Sequence, residues 1–421
     1  MRILFLTPQP PDPTGGGAAI RNWHLMRAAA DAGHGVDLVT GGGEGGDRVA
    51  IPFVGQAYDA GPYARRSTPR RVRDLLTTVR PDLALRLAHP RVAATVARAL
   101  DAANTEGRPY DVIQIEGIEM WANVPPLDYH GMRPALIYDA HNAEARLQGR
   151  TALHSLKTRD LARAAYSAAQ WAKLRAYERG VVRTATATLA LSLEDVHALE
   201  TLSGQRVDIV PVGVDTAYFT PGAPDAPGLP APILTTFRLP FDAVFSGTLD
   251  YRPNADAARW LVREVWPLVR AVRSDATLAV VGRNPLPALR AHHGRDGITV
   301  TGAVPDDRPY MAGASVYVLP IRFGAGMRLK LLNAMSMECA VVATPAATEG
   351  VDVQNGRDLL CAPATPMGFA SGIAAMLAFG EARARCGVAA RRLMIARHDW
   401  SHVTPALLRV YDRIERDRAR T

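Results

Sequence analysis

Short apolar, β-branched runs alternate with longer helical patterns along the whole chain, and the series occurs twice, once on each side of a proline- and glycine-rich stretch. In the first half the strand-like runs are residues 3–6, 36–40, 112–116, 135–139, 187–191 and 208–211. In the second they are 243–247, 278–282, 298–302, 316–320, 340–344 and 358–362. A strand that is apolar at nearly every position must be covered on both faces, which is what a parallel sheet flanked by helices provides. The pattern predicts an α/β fold with two Rossmann-like domains, 1–218 and 241–403, joined by a linker at 219–240 that contains PGAPDAPGLPAP. The last helix, about 404–421, is a candidate for packing back on the first domain. Ligands of such sheets bind at the carboxyl ends of the strands, which here means a cleft between the domains.

The length of 421 residues exceeds what one core fills and suits two. No apolar run approaches the roughly 18 residues that a bilayer-spanning helix needs. The apolar residues 3–6 are followed at once by prolines, so they do not read as a secretory signal. Cys339, Cys361 and Cys386 are an odd, scattered set without metal-ligand spacing, and the expectation is a reduced, cytoplasmic protein.

The formal net charge is +8 and the isoelectric point about 9.6, which favours anionic partners. Arg65, Arg66, Arg70, Arg71 and Arg73 crowd one stretch with only Asp74 nearby. They read either as a solvated loop and helix start or as a patch for peripheral contact with anionic lipid head groups, at the inner face of a membrane, or with a phosphorylated acceptor. No interleaved aromatic residues or binding motif accompany the patch, so nucleic acid is not an expected partner. Lysine occurs only at Lys157, Lys173 and Lys330 in a chain that otherwise uses arginine. A compact ammonium in such a background marks a candidate site. Lys157 and Lys173 fall in a polar helical stretch and read as surface residues, whereas Lys330 follows a glycine-rich turn that opens a helix.

Three stretches can carry chemistry. The loop 14–20 after the first strand contains Gly15, Gly16 and Gly17, which let backbone N–H groups approach an anion at a helix start, with Arg21 placed to add charge. Counting G-x-G-x-x-G from Gly15 puts Ile20 at the third glycine, so this is no dinucleotide fingerprint, and an ordinary tight turn is the alternative. At the end of the fourth run, His141 with Asn142 and Glu144 is placed where an acid, base or hydrogen-bond donor could act, and Glu116 on the preceding run is expected to face the same cleft or a nearby arginine. The most informative stretch is 322–335, RFGAGMRLKLLNAM. Gly324 and Gly326, a helix start, and Arg328 with Lys330 read as a diphosphate cradle, with a plain basic helix start as the alternative; helix starts ordinarily prefer acidic residues, so the cations run against local electrostatics and favour the cradle.

At these residues the chain resembles the family 4 glycosyltransferases of the GT-B fold, two Rossmann-like domains with parallel sheets facing across a cleft. The blocks that agree are FSGTLDYRPN (245–254), VVGR (280–283), VTGAV (300–304), the 324–330 loop, VVAT (341–344), TEG (348–350) and, in the first half, VPVGVD (210–215) and the glycine loop. The resemblance implies a retaining transfer from a nucleotide-diphosphate sugar, with donor on the second domain, acceptor on the first, no metal and no cofactor beyond the donor. It implies that Arg328 and Lys330 neutralise the departing diphosphate and that His141 stands near the transferred sugar. The implied donor-binding set is Gly16, Gly17, Gly247, Arg283, Val304, Gly324, Gly326, Asn333 and Glu349. Arg21, Glu116, Asn142 and Glu144 are the implied acceptor or cleft residues. The acceptor is a saccharide, lipid-linked or small-molecule hydroxyl. Ala325 and Asn333 stand where the family commonly has glutamates, Thr248 where it has arginine, and Glu338-Cys339-Ala340 replaces a Gly-x-Pro turn. The missing carboxylates favour the alternative, a non-catalytic GT-B homologue that binds a nucleotide or sugar as a subunit or regulator.

Overall fold

The computed structural model describes residues 1–42, 51–63, 66–126, 133–157, 160–221, 241–324 and 327–420, the side chains of His154 and Lys157 excepted. Arg65, Ala325, Gly326 and nearly all of the expected linker lie outside the described residues. Two compact units emerge, one formed by 1–211 with 403–421 and the other by 212–402.

The first unit is built on seven parallel strands: β1 (Arg2–Thr7), β2 (Gly35–Thr40), β3 (Ala57–Asp59), β4 (Val112–Glu116), β5 (Ala135–Ala140), β6 (Ala187–Ala190) and β7 (Asp208–Ile209), ordered β3-β2-β1-β4-β5-β6-β7. The second has β8 (Phe241–Ser246), β9 (Leu278–Val281), β10 (Ile298–Gly302), β11 (Ala314–Leu319), β12 (Val341–Ala343) and β13 (Leu360–Cys361), ordered β10-β9-β8-β11-β12-β13 and again parallel. In each unit the order reverses beside the first strand, between β1 and β4 and between β8 and β11. At such a switch point the loops part and leave room for a ligand. The central strands are buried along their length, as in Ile3–Leu6 of β1 and Val316–Leu319 of β11, because helices cover both faces. The edge strand β3 is short and largely exposed, so it carries no apolar run for a sequence reading to find.

Residues 212–218, expected with the first domain, group with the second unit. Val214 N–H donates to the His398 carbonyl (2.8 Å), Thr216 Oγ1 donates to Asp399 Oδ2 (2.7 Å), and Gly213 lies so close to the Trp400 ring that a Cβ there would sit 2.5 Å from it. The helix Trp400–Arg418 supplies residues 403–418 to the first unit. Its Tyr411 stacks edge-on against His34 at 5.5 Å, and Arg413 pairs with Asp208. No helix among the described residues is long and apolar enough to cross a membrane.

Glu338, at the position of the expected turn glycine, has φ +59°, a left-handed conformation that a side chain disfavours. Glu338→Gly is therefore expected to raise stability by about 1 kcal/mol, read as a higher urea midpoint. A midpoint that stays or falls would show that the distant contact with Arg391 (3.9 Å) outweighs the strain.

Candidate functional site

In the second unit, glycines and cations meet at the switch point. Strand β8 ends at Ser246, whose carbonyl accepts from Lys330 Nζ at 2.8 Å; Asn254 Oδ1 accepts from the same nitrogen at 2.9 Å. Gly247 follows with φ +152°, and a Cβ on it would stand 2.3 Å from Lys330 Nζ. Gly324, with φ +131°, lies equally close to Arg328: a Cβ there would be 2.4 Å from Nη2. The two glycines thus make the hollows that the two cations fill. Lys330 lies in the first turn of the helix Leu329–Ser336, a turn with no acidic residue, and its nitrogen sits 5.0 Å over the Phe245 ring. Burial and the neighbouring Arg328 push the Lys330 pKa down to about 7, with Asp307 opposing.

A shell of polar groups holds this arrangement. Asn254 Nδ2 donates to the Thr248 carbonyl (3.0 Å), and Arg283 Nε donates to Thr248 Oγ1 (3.3 Å), so Arg283 joins the cluster through Thr248. Ser246 Oγ donates to Asp307 Oδ2 (3.1 Å) and is also hydrogen-bonded to the Tyr317 hydroxyl (2.8 Å). Asn333 is half-buried one turn beyond Lys330, on the same helix face. Val304 follows β10 and Glu349 the turn Pro345–Ala347, both half-buried. Arg322 is spent elsewhere, bidentate on Asp256 at 2.9 and 2.7 Å.

In the first unit the expected acceptor residues behave differently. Arg21, in the helix Gly17–Asp31, is 1% exposed; its Nε and Nη2 bind the two oxygens of Asp139 at 3.0 and 3.1 Å, and its Nη1 donates to the Pro211 carbonyl at 2.7 Å. Glu116 is fully buried as well, accepting from Gln114 Nε2 (2.8 Å) and His141 Nε2 (3.1 Å). Neither presents an atom to an acceptor: the expectation for Arg21 and Glu116 is corrected, because each answers a buried charge inside the unit. The hydroxyl of Tyr411 donates to Gln114 Oε1, and Asn22, with its amide nitrogen turned to the carboxylate, donates to Glu116 Oε2 at 2.8 Å. A continuous polar chain therefore runs from the helix Trp400–Arg418 to His141.

His141 is the member that reaches the surface, with a side chain 20% exposed. Burial alone would lower its pKa, but the hydrogen bond and charge of Glu116, with the charge of Asp139, outweigh it and raise the value above the usual 6.5. Burial pushes Asp139 up to about 6 against the pull of Arg21. Glu116, Asp139 and His141 stand close enough to hold a metal ion, yet both oxygens of Asp139 are committed to Arg21 and Nε2 of His141 to Glu116. Asn142 Nδ2 donates to Glu144 Oε1 (3.0 Å), and Glu144 is pushed up to about 8 by burial and the charge of Glu119. Gly16 is the extended N-cap before the helix Gly17–Asp31, and a Cβ built on it would meet nothing nearer than Gln9 Nε2 at 4.0 Å. No acidic side chain occupies that helix's first turn.

Residues 240–378 match the family model described as Glycosyl transferases group 1. The match, about a third of the chain, lies in the second unit. Solved structures extend the likeness in fold to the whole chain. Sucrose-phosphate synthase from Thermosynechococcus elongatus is 18% identical with a TM-score of 0.70, covering 99% of each chain. WaaG, a glycosyltransferase involved in lipopolysaccharide biosynthesis, is 16% identical with a TM-score of 0.65, covering 96% of this chain and 98% of its own. Anabaena HepE in complex with UDP is 17% identical with a TM-score of 0.61, covering 98% of this chain and 100% of its own. The fold is GT-B. No curated protein matches the sequence.

Within the transferase domain, sequence reasoning singled out both cations but passed over Ser246, Asn254 and Asp307. These residues hold Lys330 through a carbonyl, a neutral amide and a charge beyond hydrogen-bond reach, none of which has a spacing signature. Lys173, read as an ordinary surface residue, instead donates to the carbonyls of Leu75 (2.5 Å) and Thr78 (2.7 Å) at the end of the helix Thr68–Thr77.

Proposed function

We propose that the chain transfers a glycosyl group from a nucleotide-diphosphate sugar to a saccharide, lipid-linked or small-molecule hydroxyl, with retention at the anomeric carbon. The observation that carries this reading is Lys330, an ammonium whose hydrogen-bond partners are a carbonyl and an amide rather than a carboxylate. Among the described residues no carboxylate stands at hydrogen-bond range of it; it lies beside Arg328 at a helix start, within the matched stretch. As the glycosidic bond breaks, negative charge grows on the diphosphate, and two fixed cations with the helix N–H groups stabilise it more than they stabilise the bound donor. The leaving phosphate oxygen takes the acceptor's proton. His141, held by Glu116 through Nε2, is the first unit's candidate for contact with a sugar, and Gly16 and Gly17 are its candidates for backbone N–H contact with an anion. Arg283, Val304, Asn333 and Glu349 of the second unit bind the donor; the donor is a co-substrate, and no further cofactor is invoked.

Calorimetry with uridine, guanosine, adenosine and deoxythymidine diphosphates tests this, with uridine diphosphate first because HepE was solved with it. Because Lys330 titrates near 7 when no anion faces it, diphosphate binding takes up a proton above that pH. Affinity is expected to be flat below pH 7 and to fall by up to about tenfold per pH unit above it. The binding enthalpy should vary with the buffer's ionisation heat. An affinity independent of pH from 7 to 9 would remove Lys330 from the diphosphate. The second reading, a non-catalytic binder, is favoured by the neutral Asn333 at a carboxylate position; binding without donor hydrolysis or transfer on a broad acceptor panel would select it.

A further inference from the structure

One block of the first unit leaves aliphatic side chains in water. The helix Thr68–Thr77 has no buried residue; Val72 and Leu76, one turn apart, and Val79 just beyond are exposed, Leu76 to 81%. Beside it stands a helical hairpin, Glu144–Lys157 and Leu161–Thr184, on which Leu153, Leu156 and Leu161 are each more than half exposed. The two elements are fastened together: Arg71 donates to the Tyr166 hydroxyl (3.2 Å), Gln170 Oε1 accepts from Asp82 N (2.8 Å), and Lys173 binds the carbonyls described above. Between the hairpin helices lies an apolar groove of about 700 Å³, lined by Gly149, Ala152, Leu153, Ala164, Ala168 and Trp171.

The charge on this block is one-sided. Residues 144–184 carry nine Lys and Arg against three Asp and Glu, a net +6 of the chain's +8. Of the arginines first suspected of lipid contact, Arg66 is locked between Asp74 and Asp82, and Arg71 is held by Asp82 and Tyr166. Arg70 and Arg73 are exposed at the outer side of Asp74 (4.0 and 3.4 Å), and Arg163 of the hairpin is exposed beside Asp160 (3.3 Å).

We infer that this block docks on an anionic lipid bilayer, the leucines entering the boundary between head groups and acyl chains while Arg70, Arg73 and Arg163 meet lipid phosphates. Exposed aliphatic residues alone would equally suit a second copy of the chain. Charge decides against that partner, because joining two such blocks would bring together two hairpins of net charge +6 each. Docking is independent of the proposed transfer reaction and can be read without any sugar donor.

The test is co-sedimentation of the full chain with vesicles of phosphatidylcholine alone and of phosphatidylcholine with phosphatidylglycerol, at low and high salt. Binding is expected to the anionic vesicles, weakened by salt. Arg70→Gln with Arg163→Gln should weaken partition about twenty-fivefold, at roughly fivefold per cation. Leu153→Asp with Leu156→Asp should abolish it; both positions are exposed, and circular dichroism checks that the fold persists. Failure of the native chain to bind anionic vesicles, or unchanged binding by the leucine variant, overturns the inference. So does concentration-dependent self-association in the absence of lipid that the leucine variant removes, which would make a second copy the occupant.

Discussion

Lys330→Ala is expected to lower turnover by about 10²- to 10³-fold, the range seen when one fixed donor to a developing oxyanion is removed. The ammonium is held by the Ser246 carbonyl and Asn254 Oδ1, and both of those residues are buried, so the fold of the variant is checked beside its rate. Lys330→Arg should not restore activity, because the nitrogen sits in the hollow of Gly247, where even a Cβ would come within 2.3 Å. A guanidinium is wider than that hollow and cannot hold the same point. Rates of donor hydrolysis and of transfer, measured beside the circular dichroism of each variant, are the readout. Turnover near that of the native chain in Lys330→Ala would remove the assigned role.

Arg21→Ala should cost about 3–5 kcal/mol of stability, the usual penalty for stranding one partner of a buried ion pair. Asp139 would be left without its two guanidinium bonds, and the Pro211 carbonyl without its donor. The sign of the pH dependence follows from Asp139, whose pKa burial already raises to about 6 with Arg21 present. Without the arginine it rises further, so the folded variant holds a proton that the unfolded chain releases above its ordinary carboxylate range. The variant's deficit therefore grows as pH rises from 5 to 8 and shrinks as the pH falls. Adding Asp139→Asn should recover much of the loss, since the buried charge is then gone. Urea denaturation of the single and double variants across that range gives the comparison, and a pH-independent deficit would show that lost packing, not the stranded carboxylate, dominates.

The strands were legible because a parallel sheet imposes an apolar run, and each of the twelve runs meets an observed strand; β3 escaped because an edge strand needs no such run. The cations of the later glycine turn were legible because they defy the preference of helix starts. The roles of Arg21 and Glu116 were not, for a physical reason. A charged residue at a strand end reads the same whether it faces a ligand or a partner more than a hundred positions away, as Asp139 is from Arg21. Glu338 shows the converse: the sequence departs from glycine, while the backbone keeps the turn that glycine would favour.

The return of residues 403–421 to the first unit sets an order on biosynthesis. The body formed by 212–402 is continuous and can close while the ribosome still holds the tail. Its predecessor in the chain must wait, with Gln114 and Asp208 lacking Tyr411 and Arg413, until residues 403–418 have emerged. A nascent polypeptide stalled before those residues would thus present a finished second unit and an open first one, a natural substrate for chaperones.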